Sequence, residues 1–147
     1  MPPLVRRYLK TAVGFLLFGI GLGFYMLARR ELAGAWPTPW WVSAHTHAIL
    51  VGFVMMMILG VALWMFPRPT REDRPFDTRK AEAAYWLITL GTTVRLAGEL
   101  VRPLSGAAAV RWAVVVGGAS QTIGLALFFW AMWGRIRGRP SEAPTAS

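Results

Sequence analysis

The sequence predicts an all-α integral membrane protein, a bundle of four transmembrane helices with both termini on the cytoplasmic side. Three observations lead there. First, the 147 residues are 55% hydrophobic, and the apolar residues come in blocks rather than alternating with polar ones. A block of about 20 residues at 1.5 Å rise crosses the ~30 Å hydrocarbon core. Second, the alternating segments of about ten residues that mark barrel strands are absent, which leaves helices as the spanning form. Third, the basic residues are divided unevenly between the two ends of the spans. Arg6, Arg7, Lys10, Arg68, Arg71, Arg74, Arg79, Lys80, Arg135, Arg137 and Arg139 fall on one side, and Arg29, Arg30, Arg102 and Arg111 on the other. The positive-inside rule places the richer side in the cytoplasm. The net charge of +9 is therefore read as a topology signal with some attraction to anionic lipid headgroups. No nucleic-acid partner is expected. The chain has no cysteine, so disulfides, thiolate metal sites and covalent haem attachment are excluded.

Residues 1–139 form the expected transmembrane domain. The first span covers Tyr8–Ala28. Gly19 and Gly23 in "GFLLFGIGLGF" make a G-x-x-x-G that lets another helix approach closely. Ala33–Ala35 resembles a small-residue cleavage site, but the apolar stretch before it exceeds a signal h-region, so it reads as a retained span. The following loop contains Pro37 and Pro39, which end regular helix, and Trp36, Trp40 and Trp41, which fit an interfacial aromatic belt or the wall of a cofactor pocket. The second span covers Val42–Phe66 and holds both histidines, His45 and His47. A polar connector, "PRPTREDRPFDTRKAE", leads to the third span, Ala83–Val101. That span carries Arg95 and Glu99, one turn apart on one face and able to pair. Gln121 in the fourth span, Val110–Trp133, reads as an interhelical hydrogen bond. Residues 140–147 read as a disordered tail.

Ionisable groups inside a bilayer are costly and mark function by default. His45, His47, Arg95 and Glu99 all fall toward the outer end of their spans. Residues two apart on a helix point about 200° apart, so the two imidazoles do not readily hold one ion. On a regular helical wheel, His45, Gly52, Met56, Gly60 and Leu63 form one stripe. Its glycines leave room for a flat, bulky group. His47, Val51, Val54, Ile58 and Met65 form the opposite stripe.

The segment "HTHAILVGFVMMMILGVALWMFPR" resembles helix II of the catalytic subunit, subunit I, of the haem–copper oxidase superfamily. In the nitric oxide reductase and C-type oxidase branches that helix opens H-T-N, which His45-Thr46-His47 resembles. In A-type oxidases it opens T-H-A, matching Thr46-His47-Ala48. "RLAGE", Arg95–Glu99, resembles a segment of small four-helix relatives. The family's histidine here is an axial ligand of the low-spin haem. The resemblance therefore implies a small haem-b-binding membrane protein, for electron transfer or for binding NO or O2. His45 is the first choice of ligand and His47 the second. Arg95, held by Glu99, would neutralise the propionates, and Gly52, Met56 and Trp41 would border the haem. With two histidines in all, one copy does not supply a complete binuclear oxidase centre. The expected location is the prokaryotic cytoplasmic (inner) membrane, as a homo-oligomer or beside a respiratory complex. Two other readings stand: a non-catalytic accessory or assembly subunit of such a complex, and a metal or quinol site at His45, His47 and Glu99.

Overall fold

The structure, a computed structural model, describes residues 1–66 and 78–135. Residues 67–77 of the polar connector and the expected disordered tail, 140–147, lie outside the described residues, and the rest of the connector, from Thr78, is helical. Four helices follow one another: α1 (Pro3–Ala33), α2 (Pro39–Met65), α3 (Thr78–Val101) and α4 (Ala108–Met132), the last extended by a 3₁₀ turn at Trp133–Arg135. Among the described residues there is no strand. The chain is an all-α membrane bundle. Each helix begins a few residues before its expected span.

Local chemistry sets the helix ends. Gly34 closes α1 in the left-handed region at φ 60°, where a side chain would be strained. Its N–H and that of Ala35 reach back to the carbonyls of Arg30 and Arg29, a common helix stop. The small residues that resemble a cleavage site are thus a helix cap. Pro39 opens α2 in the first turn, where a missing N–H costs nothing. Thr38 caps it by accepting the Trp41 N–H at 3.4 Å.

Helix α2 is not uniform. Its Pro39–His47 and Met56–Met65 segments are α-helical, but the eight residues Ala48–Met55 between them are π-helical. A π segment widens the turn through i→i+5 bonding and in most proteins lasts a single turn. Here it aligns Ala44, Ala48, Gly52 and Met56, all buried, at intervals of four residues.

Two hairpins make the bundle: α1 packs on α2, and α3 packs on α4. Helices α2 and α3 join them. The α3–α4 seam is the tighter. A Cβ on Gly91 would lie 2.8 Å from the Gly117 carbonyl oxygen, and one on Gly117 would lie 2.7 Å from the Gly91 oxygen. Gly98 and Gly124 continue the same contact one step up and down. In the other hairpin, Gly19 meets Ile49 and Ala48, and Gly23 meets the His45 ring. The helix that the G-x-x-x-G of α1 lets approach is therefore the chain's own α2. Small residues let helices approach in this way wherever lipid removes the usual hydrophobic drive.

At the lower end, defined by the N-terminus and the end of α2, four ties close the bundle. Tyr8 donates to the Ala81 carbonyl at 3.0 Å, Thr11 and Tyr85 share a hydroxyl bond at 2.8 Å, and Arg7 meets Glu82 at 2.7 Å. Arg135 donates to the Phe66 carbonyl. The main core surrounds these ties, taking in Tyr8, Ala81 and Tyr85, and includes Met56, Leu59, Ile88 and Phe128. A smaller core of Ala44, Ala48 and Leu96 fills the upper half.

Helices α1, α2 and α4 are each long and apolar enough to cross a membrane. Helix α3 has the length, at 24 residues, but falls short in apolar character because of Arg95, Glu99 and its threonines. Its place between α2 and α4 explains how it carries them: the polar groups are turned toward neighbouring helices.

Candidate functional site at the upper end

The two histidines leave α2 in different directions. His45 turns to α1, where its Nδ1 lies 2.8 Å from the Gly19 carbonyl oxygen and its ring covers Gly23. His47 turns to α3. Its Nδ1 lies 2.8 Å from the Ser43 carbonyl oxygen, 3.3 Å from Ser43 Oγ and 3.6 Å from Glu99 Oε1. A carbonyl oxygen only accepts, so Nδ1 carries the proton in both rings. In its neutral form each imidazole then has its lone pair on Nε2. That is the arrangement of a metal-ligating histidine, whose second nitrogen is oriented by a carbonyl or carboxylate.

From His47 a polar network crosses three helices. Ser43 donates to Glu99 Oε1 at 2.8 Å, and Arg95 Nε donates to the same oxygen at 3.0 Å. Arg95 Nη1 donates onward to Gln121 Oε1 at 3.3 Å, and Gln121 Nε2 donates to Thr92 at 2.9 Å. Glu99 is 1% exposed, whereas the side chains of Arg95 and His47 are 25% and 23% exposed. A buried carboxylate costs several kcal/mol unless it is paired and hydrogen-bonded. Here every contact is made by Oε1, and Oε2 is buried with no partner. Gly118 of α4 lies beside Arg95; a Cβ there would sit 3.2 Å from Nη1.

The expected site residues thus divide into two groups. His47, Glu99 and Arg95 come together, joined by Gln121 acting as the interhelical hydrogen bond its position suggested. Trp41 lies above them, its indole N–H donating to the Leu100 carbonyl at 3.2 Å and its ring against Tyr25. Gly52 and Met56 do not border an open slot. The Phe15 ring occupies the space at Gly52, Tyr8 and Leu9 fill that at Gly60, and Met56 is fully buried in the main core. His45, Gly52 and Gly60 share the side of α2 that faces α1, as the wheel placed them, but side chains of α1 fill the space along it. Nor do His45, His47 and Glu99 form a three-ligand metal site. Among the described residues no group of three or more His, Cys, Asp or Glu side chains is placed to hold an ion.

Sequence reasoning missed Thr92 and the Ser43 hydroxyl, which are unremarkable by type. It also missed the seven-residue spacing of Gly91 with Gly98 and of Gly117 with Gly124, a signal visible in the sequence. Compared with protein-family models, with curated proteins and with solved structures, the chain finds no match.

Proposed function

We propose that the protein binds one haem b at its upper end, with His47 Nε2 as axial ligand. The observation that carries this is the fixed tautomer of His47 in contact with the Glu99–Arg95 pair. Imidazole is a strong neutral ligand for iron, and the Ser43 carbonyl orients it. Arg95 keeps one quarter of its side chain accessible, while Glu99 and Gln121 hold its guanidinium still. A fixed guanidinium suits a propionate carboxylate. His45 is the weaker candidate, since its ring is committed to packing on Gly23 and the slot expected beside it is filled by Phe15. Haem supplies one-electron exchange or binding of a diatomic gas. The chain's own residues orient the ligand, neutralise the propionates and pack the upper core.

The same reading includes a topology. Both termini lie in the cytoplasm of a prokaryotic cell, with α3 as the fourth span, and the haem lies near the outer face. Partial exposure of His47 and Arg95 supports a further protomer or a respiratory subunit covering that side.

The test is spectroscopic. Protein made with ample haem is expected to show a Soret band. His47→Ala should lose it, His45→Ala should keep it, and Arg95→Ala should retain less haem. If both histidine variants keep the wild-type spectrum, neither residue is the ligand. Colourless wild-type protein would leave the accessory-subunit reading in its place.

A further inference from the structure

A second feature of the fold is independent of the haem reading. Helices α1 and α3 touch at the lower end through Tyr8, Thr11, Ala81 and Tyr85, then diverge upward. The divergence leaves a groove of about 510 Å³. Its α3 wall runs from Thr89 to Leu100, about 16 Å at 1.5 Å per residue, or half the ~30 Å hydrocarbon core. The groove opens sideways at Gly14, Thr93 and Ala97, all exposed, so in a bilayer its mouth faces lipid. Its walls keep their hydroxyls within the protein: Thr11 bonds Tyr85, Thr93 bonds the Thr89 carbonyl, and Thr89 Oγ1 is buried. An occupant meets apolar surface, which fits a hydrocarbon chain and selects nothing more.

The charge lies below the mouth. On α1, Lys10 precedes Gly14 by four residues and Arg7 precedes it by seven, so both share its side of the helix. On α3, Arg79, Trp86 and Thr93 follow one another at intervals of seven and share the other side of the opening. Lys10 and Arg79 are exposed, and Trp86 is 48% exposed, as suits an indole at headgroup level. Arg7 meets Glu82 at 2.7 Å across the foot of the groove. Three cations against one carboxylate leave this rim positive.

We propose that this side of the bundle binds an anionic phospholipid, with its phosphate at the rim of Lys10, Arg7 and Arg79 and one acyl chain in the α1–α3 groove. Glu82 lies about 10 Å below Thr89, which leaves room for the glycerol and ester groups between phosphate and chain. A zwitterionic lipid would fill the groove equally well, but its headgroup brings a cation of its own that the rim repels. Charge complementarity at the rim therefore decides which lipid stays, as in basic pockets between other membrane helices.

The experiment uses the full chain in phosphatidylcholine nanodiscs. The probes are phosphatidylglycerol and phosphatidylcholine, spin-labelled at the same acyl-chain carbon. Labelled phosphatidylglycerol should give the larger motionally restricted fraction. Lys10→Gln should lower that preference about fivefold, the worth of one cation near a membrane surface. Lys80→Gln should not, because its ammonium lies over the Trp130 ring of α4. Gly14→Leu should abolish the preference by filling the groove, since a Cβ there meets nothing within 4 Å. If that variant fails to fold, Ala97→Leu on the other wall is expected to do the same. Equal restriction of the two probes would overturn the proposal. So would equal effects of Lys10→Gln and Lys80→Gln, which would show general surface charge rather than a site. A preference that survives both groove-filling substitutions would place the lipid elsewhere and overturn it too.

Discussion

Glu99 is the residue on which the upper end depends. Its Oε1 takes hydrogen bonds from Ser43 and Arg95 and lies near His47, so three side chains lose a partner if it is removed. Breaking a buried ion pair by deleting one member typically costs about 3–5 kcal/mol. Glu99→Ala is therefore expected to lower the thermal unfolding midpoint in detergent by many degrees. Glu99→Gln, which keeps an acceptor for Ser43, should cost less. Equal midpoints for the two variants would mean that the acceptor kept by glutamine does not support the network. The pairing of Arg95 with Glu99 was legible from their spacing alone. The partnership with His47 was legible only as shared depth, because depth does not say which face of α2 meets α3.

At the scale of helices, the glycine contacts divide into tight and open ones. Gly117 lies against the backbone of α3, with a virtual Cβ 2.7 Å from the Gly91 oxygen; Gly21 on α1 faces open space. Overpacking a close seam costs about 1–3 kcal/mol, so Gly117→Ala should destabilise by that order. Gly21→Ala should be neutral or slightly stabilising, since alanine is the better helix former. Matching unfolding curves for the two variants would contradict the seam described. Of the four spans expected from apolar length, three, α1, α2 and α4, are long and apolar enough to cross a membrane, and that much was legible in the sequence. The π segment was not, because nothing in "AILVGFVM" distinguishes wide turns from regular ones. The wheel put Gly52 on the His45 face, but nothing in it showed that Phe15 of α1 fills that face or that Met56 lies in the core.

Across the whole molecule, the bundle holds firmly below and parts above. The ties at Tyr8, Thr11, Arg7 and Arg135 are all at the lower end. The histidines, the Glu99 network and the α1–α3 groove lie above them. The all-α membrane class was legible because bilayer thickness imposes a length on apolar runs. The groove was not, since it arises from divergence of two helices that no sequence pattern encodes. The charge bias makes a prediction at this scale. Reporter fusions at either terminus should be active on the cytoplasmic side only, and an outward-facing terminus would reverse the assignment of upper end to outer face.

The π segment of α2 acts as a phase shifter between two rigid half-helices. Deleting one residue within Ala48–Met55 would let the helix rewind to α geometry. The portion above would then turn relative to the portion below, because wide turns advance fewer degrees per residue than the α turns that replace them. With Met56–Met65 held in the core, that rotation would carry His47 off Glu99 and His45 off Gly19 together. A single deletion, touching neither histidine, would thus uncouple both from their partners while leaving the lower bundle folded. Its signature would be a retained helical circular dichroism spectrum with the ligand-binding behaviour of a double histidine variant.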